Sequence, residues 1–509
     1  MRIAAMDLGT NSFCLLVVDA HADRTFVPLI KEKDMVRLGD SVAREGRIPD
    51  DMADRAVATV ARFRALATGA GSDEILARAT SAIREAENGG ELVDRMAAEA
   101  GVHVQVISGA EEARLIFAAV QASVVIDPGP ALCLDLGGGS LELMVGDMGG
   151  LQWATSVKLG AARLGAELVT GDPPKPDDLR RVRKRVTRVL APLTAPVSDL
   201  HPTMAVITSG TFCDLARLVA ARRSGSVPLS VNQLSFSRAE LMAAHEELIR
   251  LTSTDRAKLP GIEGRRADIA PVGSTLLLSA MELFGFDSVT AGEWALREGI
   301  ILDAIPRHAA ADWTDEPRAI RAASVLQLCR RCNWDEVHGR QVARLALDLF
   351  DQTHSLHGLG PDDRELLEYA SLLHDIGEHV ATSSHHKHTA YLIQHGRLRG
   401  FSPEEVDALT ALARAHRGSG PRTSQQPFGS LPPAARHSVA RLAALLRIAD
   451  GLDRGRSAAV KRIDTLIDGA HIRLEVSSDG DMDLELWGAR RKRPLFERLF
   501  ECRLEVVAG

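Results

Sequence analysis

The sequence predicts an α/β protein whose last third changes to a mainly helical pattern. Two segments, Arg2–Val18 and Ala131–Val145, each read as an apolar strand, a glycine turn with aspartate and hydroxyl side chains, and a second strand. A third apolar strand, Ala205–Thr208, ends in a Ser-Gly-Thr turn. After Pro306 the apolar residues recur at helical spacing instead. We therefore expect two related α/β domains, residues 1–125 and 126–305, before a helical region.

Composition excludes several classes of protein. A chain of 509 residues is expected to hold about three domains at roughly 150 residues each. The net charge of −7 excludes a protein that is basic overall and binds nucleic acid through a global positive field. No apolar run reaches the length of a membrane span, and the first strand begins at Arg2, so we expect neither a membrane segment nor a signal peptide. The six cysteines are scattered, and the closest pair, Cys329 and Cys332, is more typical of helix packing than of a zinc or redox site, which indicates a reducing cytoplasm.

Strands and helices alternate through the rest of the first domain. Ser108 is expected to cap the last helix, with Glu111 at capping-box spacing, which leaves Glu112 without a structural duty. Arg84 opens an earlier helix, where it is either a surface arginine or within reach of an anion. The predicted elements are strand structure at Arg24–Leu38, a helix at Pro49–Leu66, a strand at Glu74–Arg78 and a strand at Val102–Ile107.

The glycine turn inside Ala131–Val145 predicts an anion-binding site. Three glycines, residues 137–139, let the backbone turn with positive φ and bring N–H groups close to a ligand. Asp135 and Glu142 flank them, and carboxylates beside an anion site favour phosphate together with a divalent cation. For the glycines alone, an ordinary glycine-rich hairpin is the alternative explanation.

Three strand-end loops in this order resemble those of the actin, sugar-kinase and heat-shock ATPase superfold. That resemblance implies two α/β domains of ribonuclease H type, with the phosphate-binding loops facing a cleft between them. A kinase of this superfold would also need a pocket for a sugar or an acid, and we find no motif for such a substrate.

Five motifs make the resemblance more specific. In sequence and order they resemble the exopolyphosphatase/guanosine pentaphosphate phosphohydrolase family, over essentially the whole chain. They are Asp7–Ser12, Ala79–Arg84, Ile107–Ile116, Asp135–Glu142 and Ala295–Gly299.

The family resemblance implies a role for each of several residues. Glu112 would be the general base, and Asp135 and Glu142, with Asp7, would bind Mg²⁺ and its water. Such a set suits a phosphoanhydride, whose dense negative charge must be neutralised before water attacks and whose hydrolysis needs a proton acceptor. The residues that would hold phosphate are Gly9, Thr10, Asn11, Ser12, Arg84, Gly137, Gly138, Gly139, Ser140, Ser209, Gly210 and Thr211.

The second domain contains a strongly basic helix, Asp177–Val189. One face is apolar, through Leu179, Val182, Val186 and Val189, and the rest is basic. A solvated surface is slightly favoured. The functional alternative is a track for a long polyanion, which gains affinity from many weak phosphate contacts.

The C-terminal third is expected to contain a linker (residues 306–320), a helical domain (321–460) and a small α+β tail (461–509). Histidines and aspartates follow apolar helical runs in a pattern that resembles the HD-type metal-dependent phosphohydrolase domain. Imidazole and carboxylate together suit Mn²⁺, Fe²⁺ or Zn²⁺ better than Mg²⁺ alone. A salt bridge between the His-Asp pair and Arg447 is the alternative. The matched residues would be His338, His374, Asp375 and Asp450, with His388 and His416 as extra ligands.

Two functional hypotheses follow. The first is an exophosphatase that acts on inorganic polyphosphate, with guanosine pentaphosphate as the alternative substrate. The second is a polyphosphate- or nucleotide-binding sensor with weak turnover. Glu112 favours the enzyme, because binding alone needs no base. The family resemblance also suggests a homodimer through the helical domain, and no nucleic acid or membrane partner is expected.

Overall fold

A computed structural model describes residues 1–21, 25–305, 317–418, 420–478 and 482–509. The chain divides into two compact units, Met1–Ile320 and Arg321–Gly509. Most of the predicted linker, residues 306–316, lies outside the described residues, and its last four residues open a helix. Among the described helices, none is both long and apolar enough to cross a membrane.

The first unit begins with a five-stranded sheet in the order β3-β2-β1-β4-β5. β1 pairs antiparallel with β2 and parallel with β4. β1 and β2 are almost wholly apolar because helices cover both faces of the sheet. The elements are β1 Arg2–Leu8, β2 Phe13–Ala20, β3 Phe26–Asp34, α1 Leu38–Glu45, α2 Asp50–Gly69, β4 Glu74–Ala79, α3 Ser81–Glu85, α4 Gly89–Glu99, β5 Val104–Val106 and α5 Gly109–Gln121.

A second sheet follows in the same unit, in the order β10-β11-β9-β6-β7-β8. Read from β8, the order and directions of its first five strands repeat those of the first sheet. The elements are β6 Ala131–Leu136, β7 Leu141–Asp147, β8 Gly150–Val157, α6 Ala161–Leu168, α7 Pro176–Leu190, α8 Thr194–Ser198, β9 Met204–Thr208, α9 Gly210–Ser224, β10 Ser235–Ser237, α10 Arg238–Leu248, α11 Ser253–Arg256, α12 Ala270–Phe284, β11 Ser288–Ala291 and α13 Leu296–Ala304.

The two sheets share one layer of helices. Apolar side chains of α5 and α13 pack in a single core with residues from β1, β2, β6 and β7. α13 is the last element of the second domain in sequence, yet it packs on β1 and α5 of the first. The parallel strands β1 and β4 end at one sheet edge and β6 and β9 at the equivalent edge of the other, so the loops that follow them carry the functional side chains.

The second unit is a helical bundle with a three-stranded sheet, order β12-β13-β14. Residues of the helices and of the sheet, including Val460 and Ile472, share one core, so the predicted tail has no core of its own. The elements are α14 Pro317–Arg331, α15 Glu336–Gln352, α16 His354–His357, α17 Pro361–Leu373, α18 His385–His395, α19 Pro403–Ala415, α20 Pro433–Gly451, β12 Val460–Asp468, β13 His471–Ser478, α21 Asp483–Phe500 and β14 Arg503–Ala508.

Candidate active site

The loops after β1 and β6 are closed by the same backbone hydrogen bond. The N–H of Gly9 donates to the carbonyl of Ser12 at 3.1 Å, and the N–H of Gly137 donates to the carbonyl of Ser140 at 3.0 Å. Carbonyls of the second loop also accept hydrogen bonds from outside the loop: the N–H of Arg163 in α6 donates to the carbonyl of Gly138 at 3.0 Å. The two sheets therefore present equivalent turns, as expected for related phosphate-binding loops.

These two loops touch each other, and glycine is required where they meet. A Cβ on Gly138 would lie 2.7 Å from Cγ of Asn11. A Cβ on Gly139 would lie 2.8 Å from Oγ1 of Thr10 and 2.7 Å from Oγ of Ser81. The backbone of one loop therefore lies directly against the polar side chains of the other. This close approach is what requires glycine here, and the expected positive φ was wrong, since none of residues 137–139 has one.

The third loop, between β9 and α9, has a strained backbone. Ser209 has φ of 90°, a region that residues with a side chain rarely adopt. Its Oγ is buried and has no hydrogen-bond partner among the described residues. Arg266 lies against Gly210, where a Cβ would be 2.6 Å from its Nη1, and two hydrogen bonds of 2.9 Å to Asp214 fix the guanidinium there.

Four carboxylates from both domains meet beside these loops. Asp135 and Glu142 face each other across the β6–β7 hairpin, and Asp7 and Glu112 are close enough to act on them electrostatically. Burial raises the pKa of Glu112 and of Asp135 well above their ordinary values, and the charge of Glu142 raises both further. Burial likewise raises the pKa of Glu142, and it raises that of Asp7 to about 6.

The donor set in this acidic cluster fits a divalent cation. Oδ2 of Asp135 is buried and has no hydrogen-bond partner among the described residues, so one strong acceptor is unsatisfied. Glu142 accepts a hydrogen bond of 2.8 Å from Ser156, which orients its carboxylate. Carboxylate oxygens without a compensating cation are the ligands that Mg²⁺ and similar hard ions prefer.

Glu112 is held by the arginine that the sequence singled out as a phosphate ligand. Nη1 of Arg84 lies 3.2 Å from Oε2 of Glu112 and donates to the carbonyl of Ile107 at 2.7 Å. The neighbouring Glu111 points the other way and pairs with Arg114, while its N–H is capped by Ser108 at 3.1 Å. The helix start thus explains Glu111, as predicted, and leaves the buried Glu112 facing the acidic cluster.

The second unit contains a cluster of four histidines and two aspartates. The atoms fall into two groups of candidate metal ligands, and Asp375 contacts histidines of both: its Oδ1 lies 3.6 Å from Nε2 of His374 and 3.1 Å from Nε2 of His385. The first group is His338, His374 and Asp450, and the second is Asp375, His385 and His416.

In every histidine of the cluster, Nδ1 contacts an oxygen outside the two ligand groups and Nε2 faces the other candidate ligands. Nδ1 of His374, His385 and His416 lies 2.7, 3.1 and 2.6 Å from backbone carbonyls, and Nδ1 of His338 lies 2.8 Å from Asp453. A carbonyl only accepts hydrogen bonds, so these Nδ1 atoms carry the proton and a neutral ring has a lone pair on Nε2. Such outer contacts are typical of metal-bound histidine.

Two cations already compensate the aspartates of this cluster. Arg456 donates to Asp375 at 2.5 Å and to Glu378 at 2.6 Å, and Lys492 donates to Asp450 at 2.8 Å. Burial opposes ionisation of Asp375, but its histidine neighbours, His374 first, outweigh this and hold the pKa of Asp375 well below its ordinary range. At Asp450, too, burial raises the pKa but nearby positive charge outweighs it. Lys492 has the largest lowering effect, and the pKa of Asp450 falls to about 2.

Family models match both units. The model of the Ppx/GppA phosphatase family matches residues 17–308, and that of Ppx/GppA phosphatase, domain III, matches residues 320–487. The chain belongs to the Ppx/GppA phosphatase family. It is therefore an enzyme, a hydrolase of that phosphatase class.

Relatives of the Ppx/GppA family resemble the first unit. The chain is 36% identical over 303 residues to exopolyphosphatase 1 of Mycobacterium leprae, covering 59% of this chain and 89% of that protein. It is also 36% identical over 303 residues to exopolyphosphatase 1 of Mycobacterium tuberculosis strain H37Rv, covering 59% of this chain and 88% of that protein.

Two solved structures confirm the predicted fold class. An exopolyphosphatase from Cytophaga hutchinsonii matches with a TM-score of 0.57 and 30% identity, covering 60% of this chain and 98% of that one. A Ppx/GppA family member from Aquifex aeolicus matches with a TM-score of 0.53 and 25% identity, covering 61% and 99%. The α/β domains of actin and sugar-kinase type and the helical C-terminal region are thus as predicted.

Several residues of this Ppx/GppA chain differ in position from the sequence-based expectation. His388 is half-buried and belongs to neither ligand group, and His385 lies where an extra ligand was expected. Arg447 donates to the carbonyl of Ala415 at 3.2 Å, so Arg456, not Arg447, makes the ion pair with Asp375. No local pattern marked Arg456 or Lys492, because both reach the cluster from distant sequence.

The basic helix, α7, lies in the Ppx/GppA second domain with much of its charge paired. Arg183 forms an ion pair with Glu282, and Arg185 lies 3.3 Å from Glu167. Of the predicted apolar face, Val182 and Val186 are buried, whereas Leu179 and Val189 are half-buried and Leu190 is buried in addition. The pairing favours the solvated-surface explanation over a dedicated polyanion track.

A cavity of about 270 Å³ adjoins the loop at residues 9–12 of this Ppx/GppA chain. Its lining includes Asn11 and the arginines Arg37, Arg44 and Arg265. Arg37 lies 3.8 Å from Asp268, which partly offsets its charge. The cavity therefore adds positive charge beside the loop that meets Gly138.

Proposed function

We propose that this chain is an exopolyphosphatase, which hydrolyses the terminal phosphoanhydride of inorganic polyphosphate and releases orthophosphate. The observation that carries the proposal is Glu112, a buried carboxylate that faces three others beside two phosphate-type loops. The exopolyphosphatase names of its relatives support the substrate. Guanosine pentaphosphate presents the same terminal bond and is the alternative substrate.

In this proposal the loops bind the end of the polymer. Backbone N–H groups at residues 9–12 and 137–140, with the hydroxyls of Thr10 and Ser140, would bind the terminal phosphates. Glu112 would accept the proton of the attacking water. Its raised pKa suits that role, because a stronger base removes a proton more readily.

Asp135 and Glu142, with Asp7, would hold a divalent cation such as Mg²⁺. The unsatisfied Oδ2 of Asp135 and the raised pKa values of these carboxyl groups support a cation there. When bound, the cation would supply charge that neutralises the phosphate oxygens. Arg84 would keep Glu112 in position through the 3.2 Å contact, rather than binding phosphate itself.

A direct test compares phosphate release from polyphosphate and from guanosine pentaphosphate, with Mg²⁺ and with a chelator. We expect release from polyphosphate that depends on Mg²⁺. Faster release from guanosine pentaphosphate would favour the alternative substrate. Tight binding of polyphosphate without release would favour the sensor hypothesis and contradict the proposal.

We propose a second function for the second unit, the binding of one or two transition-metal ions. The lone pairs on Nε2 of His338 and His374 face each other at 3.2 Å, and those of His385 and His416 at 3.0 Å. Two acceptors facing each other repel unless a proton or a metal lies between them. Two ligands about 2.1 Å from one ion are about 3.0–3.4 Å apart, which matches these distances.

The test for the metal is elemental analysis of protein purified without chelator. Nitrogen and oxygen ligands of this kind suit Mn²⁺, Fe²⁺ or Zn²⁺. We expect at least one such ion per chain. Protein without metal that gains no thermal stability from added Mn²⁺ would contradict this second proposal and leave the exopolyphosphatase proposal intact.

A further inference from the structure

The motif Ala295–Gly299 matches the family pattern, and most of its residues have a structural duty. Leu296 is buried in the core between the sheets. The carboxylate of Glu298 accepts a hydrogen bond of 3.1 Å from the N–H of Ala295 and so caps α13. A Cβ on Gly299 would lie 2.0 Å from the carbonyl oxygen of Leu115, so only glycine allows α13 to pack this closely on α5. Arg297 is left without such a duty.

Arg297 is a nearly buried cation whose donors are unused. Its side chain is 17% exposed, and its nearest acid partner is Oε1 of Glu298 at 3.8 Å, beyond hydrogen-bond distance. Among the described residues, nothing accepts a hydrogen bond from its guanidinium. A buried guanidinium with free donors is costly, and an acceptor in the cleft would remove that cost.

The guanidinium of Arg297 lies close enough to Asp7 of the acidic cluster to act on it electrostatically. Its charge is the strongest influence, after burial, on Asp7, and it also acts on Cys14, which is next but one to Ser12 of the first phosphate loop. The residue thus lies next to a loop that would bind phosphate. The helix cap uses Oε2 of Glu298, and Oε1 lies 3.8 Å from the guanidinium, too far for a hydrogen bond.

Two further cations, Lys33 and Arg266, lie near Arg297. Lys33 on β3 is opposite Cys14 in the sheet, and its nearest acid is Glu263 at 3.7 Å. Burial lowers the pKa of Lys33, and the charges of Arg266 and Arg297 lower it further. Arg266 is paired with Asp214 and Glu263, which leaves Arg297 and Lys33 as two neighbouring cations whose acid partners lie beyond hydrogen-bond distance and which an anion would compensate.

We propose that Arg297 and Lys33 bind a phosphate group of the substrate on the wall of the cleft beside Asp7. The inference rests on the proposed phosphoanhydride substrate and adds two binding residues to it. The planar guanidinium of Arg297 would donate two parallel hydrogen bonds to phosphate oxygens, and Lys33 would add a point charge. The cleft would then pair an acidic side for the cation with a basic side for the polyanion.

Binding without turnover separates this inference from the exopolyphosphatase proposal. Affinity for tripolyphosphate in Mg²⁺ is measured by calorimetry at alkaline pH in a Glu112→Gln background, with Arg297→Met, Arg297→Lys or Lys33→Met added. The matched control is Arg114→Met, which removes an arginine that binds Glu111 and Asp303 on the outside of α5 and α13. We expect Arg297→Met to weaken binding about tenfold or more, since a charged hydrogen bond to phosphate is lost.

The graded variants keep the test decisive. Arg297→Lys retains charge but not the paired donors, so we expect an intermediate loss, and Lys33→Met should weaken binding without altering the thermal unfolding temperature. If Arg297→Met does not fold, the Lys variants decide. If Arg297 is only a structural counter-ion of Asp7, its variants will unfold at lower temperature but bind tripolyphosphate like the control, which overturns the inference.

Kinetics give an independent readout in the chain with Glu112 intact. Arg297→Ala should lower kcat/KM for polyphosphate by about 10²-fold, as loss of one preorganised donor does elsewhere. Added guanidinium should restore part of the activity of that variant and not of Arg114→Met. Absence of polyphosphate hydrolysis in the unmodified chain contradicts the proposed function, whereas normal hydrolysis by Arg297→Ala contradicts only this inference.

Discussion

The carboxylates of the two candidate sites have pKa values shifted in opposite directions. In the first unit, burial and mutual repulsion raise those of Glu112 and Asp135 well above the ordinary range. In the second unit, histidines lower that of Asp375 and Lys492 that of Asp450, although both are largely buried. Burial is therefore similar at the two sites, and the difference is compensation by nearby cations.

That difference predicts what a metal ion does at each site. In the acidic cluster a cation supplies charge that the protein lacks, so binding relieves repulsion. In the histidine–aspartate cluster the Arg456 and Lys492 side chains already hold the aspartates, so an ion must compete with Arg456 for Asp375. The acidic cluster is thus the less compensated of the two sites, whereas Arg456 and Lys492 compensate the aspartates of the histidine–aspartate cluster without an ion.

The largest effect is expected from Glu112→Gln, which keeps the shape of the side chain but removes the proton acceptor. A loss of about 10²–10⁴ in kcat is typical for a general base. Phosphate release from polyphosphate measures it, and Glu111→Gln is the matched control because that neighbour faces outward. Near-normal turnover by Glu112→Gln would mean that another group takes the proton.

A large effect confined to the second site is expected from the double variant His374→Ala, Asp375→Ala. It removes one ligand of each group, and even outer contacts of metal ligands are worth about 10–100-fold in affinity. We expect metal content to fall to background while polyphosphate hydrolysis continues. His388→Ala is the control and should retain the metal. Equal loss in both variants would point to general misfolding.

The competition by Arg456 can be tested separately with Arg456→Met. The variant frees Oδ2 of Asp375, so we expect metal affinity to rise several-fold, the direction opposite to that of ligand removal. Titration with Mn²⁺ after chelator treatment measures it. A fall in affinity would show that the arginine orients Asp375 for the ion instead of competing with it.

Asp135→Asn tests the lack of compensation in the acidic cluster. Without metal we expect the variant to be more stable, because burial and the neighbouring carboxylates raise the pKa of Asp135 and so make its ionised form unfavourable in the folded protein. The pKa of Asp135 is higher in the folded protein than its ordinary value of 3.8. Below pH 3.8 the carboxyl is protonated in both states and does not affect stability, and above it the carboxyl destabilises the folded protein increasingly until the pH reaches the folded pKa. The stability advantage of Asp135→Asn should therefore grow over the same pH range. Added Mg²⁺ should reverse that advantage by stabilising only the wild type. A variant less stable at every pH would contradict the account.

The smallest effect is expected from the basic helix. The variant neutralises four cations: Arg183, Lys184, Arg185 and Arg188. We expect only a slight loss of affinity for long polyphosphate and only a slightly weaker salt dependence, because Arg183 and Arg185 already have acid partners. Binding of long and short chains at several salt concentrations measures it. A large loss confined to long chains would restore the polyanion track as the explanation.

The sequence predicted the α/β fold class and singled out Glu112, which is buried beside the acidic cluster, because the patterns for both are local, while the catalytic role of Glu112 stays a prediction. The strand, glycine turn and second strand are contiguous in the sequence. The predicted cap at Ser108 gave Glu111 a structural role and left Glu112 without one. Local sequence patterns did not predict which side chains from distant parts of the chain meet at the site. Arg456 reaches Asp375 from 81 residues away and Lys492 reaches Asp450 from 42 residues away. His385 was missed because Ser384, with φ of 57°, starts α18 one turn before His388. The cytoplasmic location and the homodimer stay predictions.

The most direct test of the central claim is analysis of the products from polyphosphate of defined length. The full chain is incubated with polyphosphate and Mg²⁺, and the remaining polymer and the released phosphate are followed in time, with Glu112→Gln in parallel. The account predicts orthophosphate as the product, polymers that shorten from their ends, and almost no release by the variant. Fragments of intermediate length at early times, or equal release by both proteins, would contradict it.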